Sequence, residues 1–252
     1  MPFDNIFSIL SFLTIIPITK RKGYDISYIA KNMYLFPIAG FIIGFSVGSF
    51  AFILYDHLQD LILGMMVTIA LIAFTGLHHT DALADLADGL MVRGSKDIKH
   101  KVMTDPRNGT AGTVIIIIYI VGVIVLVSHV NNKFALFSLI IIAETLSKYS
   151  MVLQCYIGKS AWEGMNTIFI TEMKNKKKFI VSTIVMVIIL IIFGLGVYQV
   201  ALSLAGMLLV SLLLLLISNR SFEGISGDVI GACNELSRLF IYFINVVIMG
   251  ST

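Results

Sequence analysis

Apolar runs of helical length alternate along this chain with short polar segments. Tyr34–Tyr55, Ala111–Ser128, Phe134–Tyr156, Phe179–Gly196 and Tyr198–Ile217 are each long and apolar enough to cross a bilayer as a helix. Leu61–Phe74 is a shorter run that leads straight into an acidic stretch, and a last span begins inside the polar island Ser218–Arg238. The opening Phe3–Ile18 is interrupted by Asp4, Asn5 and Pro17 and ends without a small-residue cleavage site, so an interfacial or re-entrant segment is expected there. The pattern predicts an all-α, polytopic membrane bundle of about seven transmembrane helices plus that N-terminal segment. No internal repeat or low-complexity linker divides it, so residues 1–252 are read as a single membrane-embedded domain.

Composition agrees: 58% of the 252 residues are hydrophobic and 13% charged, with a mean hydropathy of +0.94, outside the range of soluble domains. The net charge of +3 is modest, and Lys and Arg fall in clusters instead of one stripe, which speaks against a nucleic-acid partner. If Lys20–Lys31 is cytoplasmic, alternation puts Thr75–Gly112, Ile157–Lys178 and Ser218–Asp228 on that side too. These segments hold nearly all the Lys and Arg, and the opposite turns hold Lys133 and little else. The positive-inside rule is then met at every crossing, and a multi-pass protein of the cell membrane with its polar face toward the cytoplasm is expected. Cys155 and Cys233 have apolar neighbours and no C-x-x-C spacing, so they are read as packing residues. Gly40, Gly44 and Gly48 form a small-residue seam that could join helices within one chain or between two, which leaves a homo-oligomer open.

Chemistry concentrates in Thr75–Thr113. If Leu77–Leu90 is helical, Asp81, Asp85 and Asp88 fall at i, i+4 and i+7, within a wedge of roughly 60°. Like charges at that spacing repel. A solvated acidic face is one reading. The other is a divalent cation, for which carboxylate oxygens suit Mg²⁺, with substrate phosphates taking its remaining positions. The apolar residues between the acids and the apolar span before them favour the metal. Arg93, Lys96, Lys99, Lys101 and Arg107 surround the acids; Arg107, which can grip phosphate with two parallel hydrogen bonds, is the one paired with a substrate phosphate. Gly109 and Gly112 could expose backbone amides to an anion or simply let helices approach. Within Phe134–Tyr156, Glu144 and Lys148 are either a self-satisfied i, i+4 pair or part of a cavity wall. Asp228, Asn234, Glu235 and Arg238 enter the last span, where such groups are costly unless they meet a partner or a wet cavity, so both polar islands are expected to face one cavity.

These residues also carry a resemblance. T-G-L-H-H-T-D-A-L-A-D-L-A-D-G-L, Thr75–Leu90, resembles the signature T-G-G-x-H-x-D-G-L-A-D-x-x-D-G of the cobalamin-5′-phosphate synthase family, also called adenosylcobinamide-GDP ribazoletransferases. Met103–Gly112 is similar to the family's M-x-D-x-x-x-G-x-x-G, Phe12–Pro17 to F-L-T-x-x-P, Tyr34–Gly44 to Y-F-P-x-x-G-x-x-x-G and Gly227–Ala232 to G-D-x-x-G-A. The blocks run in order through nearly the whole chain. Leu77 and Ala82 depart from the family's glycines, and Arg238 stands where many members have an acid. The resemblance implies the nucleotide-loop step of cobalamin synthesis: a hydroxyl of α-ribazole, or of its 5′-phosphate, attacks the cobinamide-side phosphorus of adenosylcobinamide-GDP, and GMP leaves. It implies Mg²⁺ as cofactor, held by Asp81, Asp85 and Asp88. Asp88 or Asp105 would be the base, Arg107 would hold phosphate, and His79, Asn108, Asp228 and Asn234 would orient substrates.

Two other classes share parts of this pattern. Asp81-x-x-x-Asp85 resembles the Asp-rich motif of Mg²⁺-dependent membrane prenyltransferases, which show a second such motif where this chain has Asp228 alone. Glu144, Lys148, Glu235 and Arg238 at membrane depth would suit an ion-coupled transporter, although the two related halves of such proteins are not visible.

Overall fold

The computed structural model describes residues 2–16, 25–194 and 196–249. Lys20, Arg21 and Lys22, on which part of the orientation argument rests, and Pro17 and Ile18 of the N-terminal segment lie outside the described residues. The described chain is helical with no strand, and its elements follow the apolar runs. They are α1 (Pro2–Leu13), α2 (Ile26–Asn32), a 3-10 turn (Met33–Leu35), α3 (Phe36–Leu54), α4 (Asp60–Thr75), α5 (His78–Met91) and α6 (Lys96–Met103). Then come α7 (Thr110–Ser128), α8 (Lys133–Ile157), α9 (Met165–Met173), α10 (Lys176–Phe193), α11 (Val197–Phe222) and α12 (Gly227–Met249).

Asn and Asp at the predicted turns start several of these helices by accepting orphaned backbone amides. The Asp25 carboxylate accepts from Ser27 at the head of α2, Asn132 from Phe134 and Ala135 at the head of α8, and Asn175 from Lys177 at the head of α10. Two helices, α6 and α9, lie in stretches read from sequence as loops. They are eight and nine residues long, short enough that no apolar period announces them.

Five helices are long and apolar enough to cross a membrane: α2–α3 taken together, α7, α8, α11 and α12, among the described residues. A sixth span arises if α4 and α5, bent by 95° at their junction, count as one. The 18-residue α10 opens with Lys176, Lys177 and Lys178 and is apolar after them; it is the seventh span of the sequence reading. The protein is therefore a multi-pass membrane bundle. α1, with 12 residues, is too short to span; it buries Ile9, Leu10 and Leu13, and just beyond it the Ile15 amide donates to the Phe74 carbonyl at 3.0 Å. The N-terminal segment thus lies against one end of α4, as an interfacial element would.

α8 is the central column. Of its membrane window 94% is buried inside the protein, against 22% for α7 and 28% for α11. The glycine seam of α3 faces it: a Cβ at Gly40 would stand 2.4 Å from the Glu144 carbonyl oxygen, and one at Gly44 2.8 Å from the Ile141 Cα. The seam joins two helices of one chain. Outward faces carry Ile117, Ile118 and Val121 on α7, Ile184, Ile188 and Ile191 on α10, and Leu212, Leu213 and Leu216 on α11, all exposed, as a lipid solvent requires.

One end of the bundle gathers the polar segments. The α8–α9 loop pairs with the α11–α12 loop through Ala161 to Ile225 (3.0 Å) and Ile225 to Lys159 (2.8 Å). Lys96 of α6 bonds Glu223 at 2.7 Å, and His100 stacks on Trp162 with ring centroids 4.2 Å apart. The opposite end is closed by Lys133 with Asp56 at 2.6 Å.

Candidate active site

α4 stops at Gly76, whose φ of +69° belongs to the left-handed region open to glycine, and where a Cβ would stand 2.6 Å from Ile15. The chain then turns by 95° into α5, which does not run on along the line of α4. α5 buries Ala82, Leu83, Ala84 and Leu86. Small residues bring it close to α12, where a Cβ on Gly231 would stand 2.6 Å from the Ala82 Cβ, and to α7, where one on Gly112 would stand 3.0 Å from the Ala84 Cβ. The acids are left on its other side.

The three aspartates do not act alike. Both oxygens of Asp88 are taken by the start of α7: the Gly109 amide donates to Oδ2 at 2.7 Å and the Gly112 amide to Oδ1 at 2.9 Å. A helix N-terminus is an anion site, and the anion here is the protein's own carboxylate. A Cβ would meet Asp88 at 2.4 Å from Gly109 and at 2.5 Å from Gly112, so glycine is required at both positions. The three-carboxylate cage expected from the i, i+4, i+7 spacing is not formed. Among the described residues no three His, Cys, Asp or Glu side chains stand together closely enough to hold a metal ion, because Asp88 ties α5 to α7 instead. Asp81 is exposed and Asp85 partly so. The Asp85 carboxyl is pushed up to about 7 by burial first, then by the charges of Asp81, Asp228 and Asp88. The acids of the two polar islands therefore feel one another across the α5–α12 contact.

Asp105, Arg107 and Asn108 stand apart from this. Arg107 is 87% exposed and forks onto Asp105, Nε at 3.0 Å and a terminal nitrogen at 2.9 Å. That bond, with the Arg107 backbone amide, holds the Asp105 carboxyl down at about 2, too weak a base for an alcohol. Asn108 is exposed in the same loop. None of the three lines the cavity at this end of the bundle, and neither do Asp81 and Asp85; what sets Asp105 and Arg107 aside as base and phosphate grip is that each is taken by the other.

That cavity has a volume of about 600 Å³ and opens between α1, α3, α5, α9, α12 and the loop bearing Trp162. His79 and Asp228, both expected at the site, line it. Burial, with Lys148 and Arg238 nearby, holds the His79 imidazole well below its usual range and hence neutral. His78, His100, Trp162, Asn166 and Ser226 also line it and were not foreseen. A signal was present for His78, inside the signature block, and for Ser226, inside the second polar island; His100, Trp162 and Asn166 come from stretches read as loops.

Asn234, expected to touch substrate, is buried behind the cavity. Its carbonyl oxygen accepts from Lys148 at 2.6 Å and its amide donates to Glu235 at 2.8 Å. Arg238 bonds Glu144 through two nitrogens, Glu235 through a third contact, and the Tyr119 hydroxyl at 2.5 Å. Glu144, Lys148, Asn234, Glu235 and Arg238 are at most 2% exposed. Two acids and two bases thus cancel inside the bundle, joining α7, α8 and α12. Glu144 and Lys148, 4.0 Å apart, are one edge of this network and do not line the cavity. It reaches the cavity through His79, whose Nδ1 is 3.9 Å from Glu235.

A family model described as cobalamin-5-phosphate synthase matches residues 5–246. A protein of Archaeoglobus fulgidus called adenosylcobinamide-GDP ribazoletransferase is 30% identical over 230 residues, 91% of each chain. Proteins of that name from Clostridium botulinum strain Langeland (29%, covering 95% of each chain) and Methanocella arvoryzae (30%, covering 91% of this chain and 90% of the relative) are similarly close. No solved structure matches. The acidic α5, the second polar island and the segment before the α4 bend all fall inside the matched range, and the chain belongs to the cobalamin-5-phosphate synthase family.

Proposed function

We propose that this transferase joins the cobinamide-phosphate part of adenosylcobinamide-GDP to α-ribazole or its 5′-phosphate, releasing GMP, at the cytoplasmic rim of a membrane. The family and the names of its relatives supply the reaction. The observation that carries it onto the structure is Asp228 at the wall of the cavity, with the acidic pair Asp81 and Asp85 outside the lining but near enough for Asp85 to feel its charge. A hydroxyl oxygen of the acceptor forms a new bond to the cobinamide-side phosphorus, the bond from that phosphorus to the bridging oxygen breaks, and GMP departs with that oxygen. The hydroxyl proton must be received nearby. Asp228, on the cavity wall, is the group placed to accept it or to orient the hydroxyl, in preference to Asp88 and Asp105, which are held by other partners.

The donor set suits Mg²⁺ in its usual habit of one or two carboxylates with substrate phosphates and water completing the shell. Asp81 and Asp85 would hold it, and their mutual repulsion, which adds to burial in raising Asp85, is the strain a cation relieves. Bound there, the ion supplies charge neutralisation for the diphosphate. Asp88 supports the pair from behind by fixing α5 on α7. The lysines and arginines at the same end of the bundle, against Lys133 at the other, favour the cytoplasm for this face. Ion-coupled transport loses its motive, since Glu144, Lys148, Glu235 and Arg238 pair with one another instead of lining a path.

Purified protein given adenosylcobinamide-GDP, α-ribazole and Mg²⁺ should release GMP in step with cobalamin formation. EDTA should stop it and Asp81→Asn should lower it by at least a hundredfold without loss of fold. GMP release that persists in EDTA, or unchanged in the variant, would remove the metal and the acid pair from the site.

A further inference from the structure

We infer that the cavity of about 600 Å³ is the acceptor subsite, holding the whole nucleoside with its flat, apolar bicyclic base against the aromatic wall of Phe12, Phe36 and Phe169 and its ribose toward Asp228. This rests on the transfer reaction proposed above and adds which substrate is buried and which is not. The volume is that of a pocket for a drug-sized ligand, and too small for a corrin ring with its side chains and nucleotide. The three phenylalanines pack on one another at one wall, with centroids 6.4, 5.8 and 6.4 Å apart, and give that wall an apolar aromatic surface. Phe36 and Phe169 are at most 6% exposed. Polar groups lie elsewhere around the wall, and three of them are unfinished: the Ser11 hydroxyl, His79 Nδ1 and Trp162 Nε1 are buried without a hydrogen-bond partner, and all three residues line the cavity. Buried polar atoms without partners are few in folded proteins. Three such atoms in residues that line one cavity leave its polar wall with hydrogen-bonding capacity that a small side-chain shift would turn toward a nucleoside.

Charge separates the two substrates. No Lys or Arg lines this cavity, and Asp228 does, so a diphosphate has no counter-charge inside. An uncharged nucleoside needs none. The donor's diphosphate is left to the acidic pair on α5 with its cation, outside the cavity and beside Asp228, which places a ribose hydroxyl of the buried acceptor at the boundary between them. A wall of phenylalanines offers no hydrogen bonds to the edge of a purine, so the apolar base is favoured over adenine.

Trp162 is the one tryptophan of the chain and lines this cavity, so its emission reports occupancy. α-Ribazole titrated into the full-length protein in detergent, without donor, should change Trp162 emission saturably, with Trp162→Phe as the optical blank, and adenosine should compete at least tenfold more weakly. Phe169→Ala should weaken this binding about tenfold and raise the KM for α-ribazole by a similar factor, while the KM for adenosylcobinamide-GDP stays within twofold; Phe169→Leu, which keeps the packing volume closer, should show the same split at smaller size. Wild-type protein that turns over but gives no emission response to α-ribazole would overturn the subsite and leave the transfer reaction standing. Equal rises in both KM values would overturn it as well. Saturable α-ribazole binding in a preparation that releases no GMP would support the subsite while sinking the transferase reading.

Discussion

Arg238→Met tests whether the buried cluster is a balanced unit. The substitution keeps much of the side-chain length and apolar stem while removing the guanidinium bonds to Glu144, Glu235 and Tyr119. The cluster then changes from two acids and two bases to two acids and Lys148 alone, a net negative charge where exposure is at most 2%. Removing one partner of a buried ion pair costs about 3–5 kcal/mol, which on the scale of domains this size is a fall in Tm of roughly 6–20 °C. Glu144→Gln leaves an excess of positive charge and should cost a similar amount. The double variant restores neutrality, since Lys148 and Glu235 remain and are bridged by Asn234 at 2.6 and 2.8 Å. Its penalty should fall short of the sum of the singles by about 1–3 kcal/mol. Thermal unfolding of the four proteins in one detergent, followed by tryptophan emission and by size exclusion, gives the cycle. Additive penalties, or an Arg238→Met protein as stable as the parent, would refute the argument.

Four further outcomes follow from the site. Asp85 binds its proton more tightly folded, at about 7, than its ordinary value of 3.8, so its ionisation opposes folding: in EDTA the parent should lose stability as pH rises from about 4 to about 7, Asp85→Asn should be the more stable protein at pH 8, and the gap should close near pH 4. A parent that gains stability over that range would contradict the crowding of the acids. Gly112→Ala forces a Cβ to within 2.5 Å of the Asp88 carboxylate, so it should lower Tm more than Asp88→Ala, which only removes a cap worth about 1–2 kcal/mol; equal losses would deny the close approach. Arg107→Ala, which removes a side chain 87% exposed, should leave Tm within about 2 °C and kcat/KM within about threefold, whereas a hundredfold fall would return the guanidinium to the phosphate. With Cys155 and Cys233 buried, a cysteine placed at Asn131 should react with a membrane-impermeant maleimide on intact cells and one at Asn108 only after lysis; the reverse would invert the protein in the membrane.

The fold was legible where physics leaves one choice. A run such as Ala111–Ser128 in lipid has to satisfy its backbone internally, and it does so as α7. The glycine seam was legible as close packing, but its partner was not, because no spacing along α3 says that α8 will face it. α6 and α9 escaped because they are held by tertiary contacts, the His100–Trp162 stack among them, and not by a period of their own. The acids were legible as a stripe and misleading as a cage. Helical spacing fixes direction around an axis, yet it cannot show that an adjacent helix will present two bare amides and claim Asp88.

The same limit explains the second island. Asn234, Glu235 and Arg238 read as groups needing a wet cavity, since the cost of a charge in an apolar medium is paid by either water or a counter-charge. The structure takes the second course, and the partners come from α7 and α8, about a hundred residues earlier. That closure has a consequence for the site. With the charges of α8 and α12 matched internally, the cavity above them is lined without lysine or arginine, and His79 is the place where matched interior and substrate cavity touch, 3.9 Å from Glu235. A bundle that left Lys148 or Arg238 open to the cavity would draw the diphosphate inward, away from the acids. On the proposed reading, neutralising them would keep the anionic substrate at the rim with Asp81 and Asp85 and reserve the interior for the uncharged one.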